Sequence, residues 1–103
     1  MMTLEQVKNL FQTAEMRELC RQNEIARLSV FGSTARNEAA DKSDLDLLVS
    51  FTPAKKIGLL ELIALEDRLA EATKQKVDLV MESSLGGRRA ENIRRDLQVI
   101  YAA

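Results

Sequence analysis

No histidine occurs anywhere in the 103 residues. That absence removes the commonest general base, the histidine-carboxylate iron triad and most zinc sites. Any catalysis must therefore rest on carboxylates, hydroxyls and cations, with or without a hard metal ion. Cysteine is nearly as scarce. The single Cys20 rules out an intrachain disulfide, suits a reducing cytoplasm and lacks an imidazole to activate it as a nucleophile. Tryptophan is missing and aromatics amount to 4%, too few for the stacking platforms of nucleic-acid binders. No excess charge of one sign is present either: a net charge of −1 draws the chain to neither nucleic acid nor a membrane surface. No apolar run approaches the ~18 residues of a membrane span, and no leader pattern opens the chain. With one proline and four glycines there is no linker composition, so residues 1–103 are expected to form a single domain, placed in the cytoplasm.

What is present is regular patterning. Thr3 and Gln6 form a capping box, and Leu4, Val7, Phe11 and Ala14 follow at helical spacing, predicting one helix that stops near Asn23. Ile25 to Phe31 reads as a strand ending at Gly32, and Ser33 to Glu38 as one or two helical turns leading into a polar loop through Ser43. Asp44 to Phe51 alternates Leu45, Leu47, Val49 and Phe51 against Asp44, Asp46, Leu48 and Ser50, a strand pattern. Pro53 and Gly58 bracket a turn into a second long helix. There Leu59, Leu62, Leu65, Leu69 and Ala72 mark the apolar face, and Leu60 and Ile63 widen it. Lys76 to Met81 reads as a third strand. Gly86-Gly87 is a break before Ala90, Ile93 and Leu97 resume helical spacing, and Val99 to Tyr101 reads as a closing strand or an ordered tail. The order predicts an α/β (α+β) domain, a small mixed β-sheet flanked by helices.

Two carboxylates in one apolar strand need a reason. Residues i and i+2 share a strand face, so Asp44 and Asp46 project together. Their α-carbons lie about 6.6 Å apart, where two charges repel by about 2–3 kcal/mol at an effective dielectric near 20. Either one is protonated or a cation sits between them, and an oxygen-only donor set favours magnesium or manganese. Upstream, Gly32 lets a ligand approach the backbone. Ser33 opens a helical turn whose N–H groups and hydroxyl suit a phosphate. A phosphate cradle facing metal-holding acids is the apparatus of phosphoryl or nucleotidyl transfer. Asp78, an acid inside the apolar run Val77 to Met81, is the candidate third carboxylate, as a metal ligand or as the acceptor of a hydroxyl proton.

Gly32-Ser33, ten residues, then Asp44-Leu45-Asp46 resembles the GSx10DxD signature of the DNA polymerase β-type nucleotidyltransferases. Gly32 to Arg36 (GSTAR), Ser43 to Val49 (SDLDLLV) and the VDLV strand of Asp78 resemble the minimal nucleotidyltransferases, the MNT antitoxins, over most of the chain. The resemblance implies the nucleotidyltransferase fold, two Mg2+ ions (or Mn2+), and ATP as substrate. It also implies a HEPN-domain ribonuclease toxin as partner in a type VII toxin–antitoxin pair, disarmed by transfer of AMP to a tyrosine hydroxyl. Carried over by position, Gly32, Ser33 and Arg36 would meet the nucleotide, and Asp44, Asp46 and Asp78 would hold metal and carry catalysis. A hetero-oligomer with the toxin is expected, with no direct nucleic-acid or membrane partner.

Blander readings stand beside this one. Asp44 and Asp46 could face solvent on an edge strand, and Gly32-Ser33 could be a simple turn. The arginines Arg88, Arg89, Arg94 and Arg95 could contact phosphate, RNA or an acidic partner, but interleaved with Glu91 and Asp96 they read as a solvated helix face. DKSDLD lacks the ligand alternation and central glycine of an EF-hand, and no Walker motif occurs. A non-catalytic antitoxin acting by occlusion, or a small-molecule nucleotidyltransferase, are the functional alternatives. The second would want a substrate-gripping domain for which this length leaves little room.

Overall fold

The computed structural model describes residues 2–39 and 44–103. The order is α1 (Leu4–Leu10), α2 (Ala14–Gln22), β1 (Ile25–Phe31), α3 (Gly32–Ala35), β2 (Leu45–Phe51), α4 (Leu59–Thr73), β3 (Val77–Met81), a 3-10 turn, α5 (Gly87–Arg95) and β4 (Gln98–Ala102). The expected polar loop lies, from Ala40 to Ser43, outside the described residues.

One four-stranded sheet of order β3-β2-β1-β4 organises the chain. β1 runs antiparallel to both β2 and β4, whereas β2 and β3 are parallel. The mixed sheet expected from the element order is therefore the one observed, and the last segment is a strand rather than a loose tail. β4 pairs Gln98 with Val30 and Ala102 with Arg27.

The strand alternation of β2 sorts its side chains onto two unequal faces. Leu45, Leu47 and Val49 are fully buried, with Leu28, Val30, Leu79 and Ile100, beneath Val7 and Phe11 of the N-terminal segment, Cys20 of α2 and Leu65 and Leu69 of α4. On the other face a small cluster of Phe31, Leu48, Val80 and Ile93 sits under α5. Cys20 belongs to the large core, and burial pushes its thiol up to about 11, so it packs as an inert small hydrophobe.

The N-terminal helix differs from expectation. Instead of one helix to Asn23, the chain breaks between Leu10 and Ala14. Thr13 is the cause: its hydroxyl donates to the Leu10 carbonyl at 2.7 Å and accepts from Met16 N at 3.4 Å. It thus ends one helix and caps the next, the local competition that makes threonine a boundary residue. α4 also buries a narrower stripe than its sequence suggests. Leu65 and Leu69 are buried, but Leu59 and Leu60 remain 72% and 81% exposed.

Both sheet edges are tied down by side chains. Glu66 of α4 accepts the outward Leu79 N–H of β3 at 2.9 Å. Gln12 donates to the Ile100 carbonyl of β4 at 3.0 Å. Edge strands occupied in this way offer fewer open groups to a foreign strand.

Candidate active site

Three chain ends meet at one edge of the sheet: the exit of β1 and the entries of β2 and β3. Antiparallel pairing sets Asp46 across from Phe31, the last residue of β1, so the turn from Gly32 starts beside its carboxylate. Parallel pairing sets Asp78 level with Asp46 on the neighbouring strand. The even spacing within β2 and β3 then sends Asp46, Leu48, Asp78 and Val80 to the α5 face. Asp44 lies one residue before β2 and is half-buried, Asp46 is half-buried within it, and Asp78 on the edge strand is exposed. Asp78, whose position depended on a strand pairing invisible in the sequence, is therefore brought beside Asp46.

Gly32 has a role besides the expected one. Its φ of +73° is in the left-handed region, and a Cβ there would come within 2.3 Å of Asp46 Oδ2. On its Cβ side the space is filled by the protein's own carboxylate. Glycine is required because any side chain would expel Asp46 from its place. The remainder of the turn is the four-residue α3, followed by Arg36, whose N–H returns to the Gly32 carbonyl at 3.2 Å.

Electrostatics mark Asp46 as the centre of the group. Burial first, then the charges of Asp78 and Asp44, hold its carboxyl above the ordinary carboxylate value, while Arg36 and Arg89 oppose that rise. A half-buried acid pressed by two like charges is the arrangement a divalent cation relieves. The donor set is carboxylate oxygen alone, which fits a hard ion such as magnesium or manganese. Among the described residues, however, no three acidic, histidine or cysteine side chains are drawn together tightly enough to form a finished metal cage. The acids share one face and one edge, and a cation would complete the grouping.

Arg36 is placed at this edge but is held by acids. Its Nε donates to Glu38 Oε2 at 3.1 Å and its Nη1 to Asp96 Oδ2 at 3.2 Å, which raises its pKa further and keeps it charged. Sequence reading gave Asp96 no role at the site, and set Arg89 in a solvated row with phosphate contact as the alternative. The signal available was their helical phase relative to Ala90 and Ile93.

A cavity of about 470 Å3 opens at the opposite end of β2 and β3, lined by Phe51, Pro53, Lys55, Ile57, Met81 and Glu82 among others. Its two charges are already paired, Lys55 with Glu61 and Glu82 with Arg27. No group of acids converges there, so the chemistry belongs to the Asp46 edge.

A mixed sheet carrying acids level on adjacent strands, beside a glycine turn, defines a nucleotidyltransferase-type domain. The nucleotidyltransferase domain family matches residues 14–100, and the chain belongs to that family. It is 39% identical over 101 residues to the protein adenylyltransferase MntA of Thermococcus cleftensis, covering 98% of this chain and 97% of that protein. A relative from Methanocaldococcus jannaschii is 35% identical over 85 residues, 82% of this chain and 84% of its own. A solved structure described as a minimal nucleotidyltransferase superposes with a TM-score of 0.73 at 35% identity, over 94% of this chain and 95% of that one. The fold is shared with a toxin–antitoxin crystal structure containing AMP-PNP, at a TM-score of 0.73 and 21% identity over 93% of this chain and 73% of that one.

Proposed function

We propose that this chain is the antitoxin of a toxin–antitoxin pair and transfers AMP from ATP to a tyrosine hydroxyl of a HEPN-domain ribonuclease toxin. The observation that carries the reading is Asp46, set between Asp44 and Asp78 with its carboxylate against Gly32. Similarity along nearly the whole chain to a named protein adenylyltransferase supports AMP as the group moved. The solved toxin–antitoxin complexes that share its fold support a toxin partner.

In this reaction the acceptor oxygen bonds to the α-phosphorus as the bond from that phosphorus to its bridging oxygen breaks. The electron pair leaves with pyrophosphate, and the hydroxyl proton passes to a carboxylate or to water. Asp44, Asp46 and Asp78 would hold one or two magnesium ions, which when bound neutralise charge on the attacking and leaving oxygens. Asp78, exposed at the open edge, would take or orient the acceptor proton. Gly32 and Ser33 present the turn to the phosphates. Arg36 adds positive charge beside them.

The test mixes the protein, magnesium, ATP labelled in its α-phosphate, and a candidate HEPN-domain partner. Label should reach the partner, and replacing the acceptor tyrosine by phenylalanine should remove it. Asp44→Asn and Asp46→Asn should each lower transfer by about a thousandfold, the several kcal/mol that metal-assisted charge neutralisation supplies. Full transfer in both variants would overturn the mechanism. Neutralisation of the toxin without any label would replace it with occlusion.

A further inference from the structure

α5 crosses the second face of the sheet and buries Ala90 and Ile93, with Leu97 packed just beyond its end. At 100° per residue, Arg88, Glu91, Asn92 and Arg95 turn toward solvent, while Arg89 and Arg94 flank the buried stripe on opposite sides. Asp96 decides which flank looks at the acids. Seven positions, close to two full turns, separate Arg89 from Asp96, so the two lie on one side of the helix. Asp96 is bound at 3.2 Å to Arg36, the residue that closes the turn beginning at Gly32. The flank carrying Arg89 is therefore the one pinned to the candidate active edge, and Arg94 belongs to the other.

Arg36, from a different element, is a cation at the same edge. The circumstances of the two arginines differ. Arg36 is engaged by two carboxylates, whereas among the described residues Arg89 makes no ion pair. It is exposed, on a side chain long enough to swing.

We propose that Arg89 is a phosphate-gripping residue of this site, holding the β- and γ-phosphate oxygens of the nucleotide and the pyrophosphate that leaves. The inference rests on the nucleotidyl-transfer reading above and adds a residue to it. Three acids at one edge repel a polyanionic tail, and bound cations offset that repulsion near the α-phosphate. The distal phosphates need a positive group of their own. A guanidinium meets two phosphate oxygens with two parallel N–H bonds, which an ammonium cannot reproduce. Arg89 takes no proton in the reaction; it receives the charge that pyrophosphate carries away.

The test is binding by the isolated chain in magnesium buffer, with ATP, inorganic pyrophosphate and AMP as three separate probes. Arg89→Ala should weaken ATP and pyrophosphate by about tenfold, the loss of one charge-assisted contact, and leave AMP unchanged. Arg89→Lys should recover part of the loss, and Arg94→Ala should match the parent with all three probes. Parent-like pyrophosphate binding by Arg89→Ala would overturn the assignment, as would an equal loss of AMP binding, which signals a structural role. If Asp46→Asn abolishes transfer while Arg89→Ala binds as the parent does, this inference falls alone. If the parent binds neither ATP nor pyrophosphate, it falls together with the proposed function.

Discussion

The two faces of β2 carry opposite burdens. On one, Leu45, Leu47 and Val49 have no exposure at all and lie under the N-terminal helices and α4. On the other, Asp46, Leu48 and Ser50 alternate polar, apolar and polar, and only a small cluster around Ile93 anchors the covering helix. Packing on the first face holds the strand still. The second face can then afford a half-buried acid beside two other acids, a grouping whose like charges cost stability. Rigid support behind a strained polar group is how a site keeps its geometry without a partner bound.

The sharpest way to probe that difference is to remove comparable bulk from each side. Leu47→Ala should lower unfolding stability by about 3–5 kcal/mol, since a fully buried leucine in a dense core leaves a cavity that cannot collapse. Ile93→Ala, in the smaller cluster where α5 can settle onto the sheet, should cost only about 2–3 kcal/mol. Urea midpoints of the two variants check both values, and an equal loss would mean that α5 is as firmly packed as the main core.

Smaller effects follow at the polar edge. Gly32→Ala should lose about 1–2 kcal/mol from the left-handed backbone alone. It should also lose nucleotide binding, because the added methyl expels Asp46; isothermal titration with ATP measures the second effect. Asp46 should give the smallest signal, in the pH dependence of folding. Its folded pKa is raised from 3.8, so the folded chain binds more protons than the unfolded one just above that value. Stability therefore falls as pH rises from 3.8 through the raised value. Asp46→Asn should remove that decline, leaving a flatter profile in denaturation curves taken across the interval, and an unchanged profile would show that Asp46 is not pressed by its neighbours.

Much of this architecture was legible from period and punctuation. The alternation from Leu45 to Phe51 named the buried side of β2 correctly. The third strand, Val77 to Met81, lies within the expected Lys76 to Met81, and α5 starts at the glycine pair but ends at Arg95, short of the Leu97 expected in it. The helix break at Thr13 was missed because a threonine cap competes with an unbroken apolar stripe, and the stripe is the louder signal. Asp44 and Asp46 were found together because they are two residues apart at the entry of one strand.

The sequence by itself determined the donor chemistry: acids without histidine, ten residues after a glycine-serine pair. Periodicity reports only what neighbours along one chain do, so it could not say where Asp78 or Arg89 would stand. Tertiary structure decided that, through the parallel register that levels Asp78 with Asp46 and through the Arg36–Asp96 ion pair that turns one flank of α5 toward them. Both are contacts between segments far apart in sequence, and their geometry exists only once the sheet has formed and the helix has docked on it.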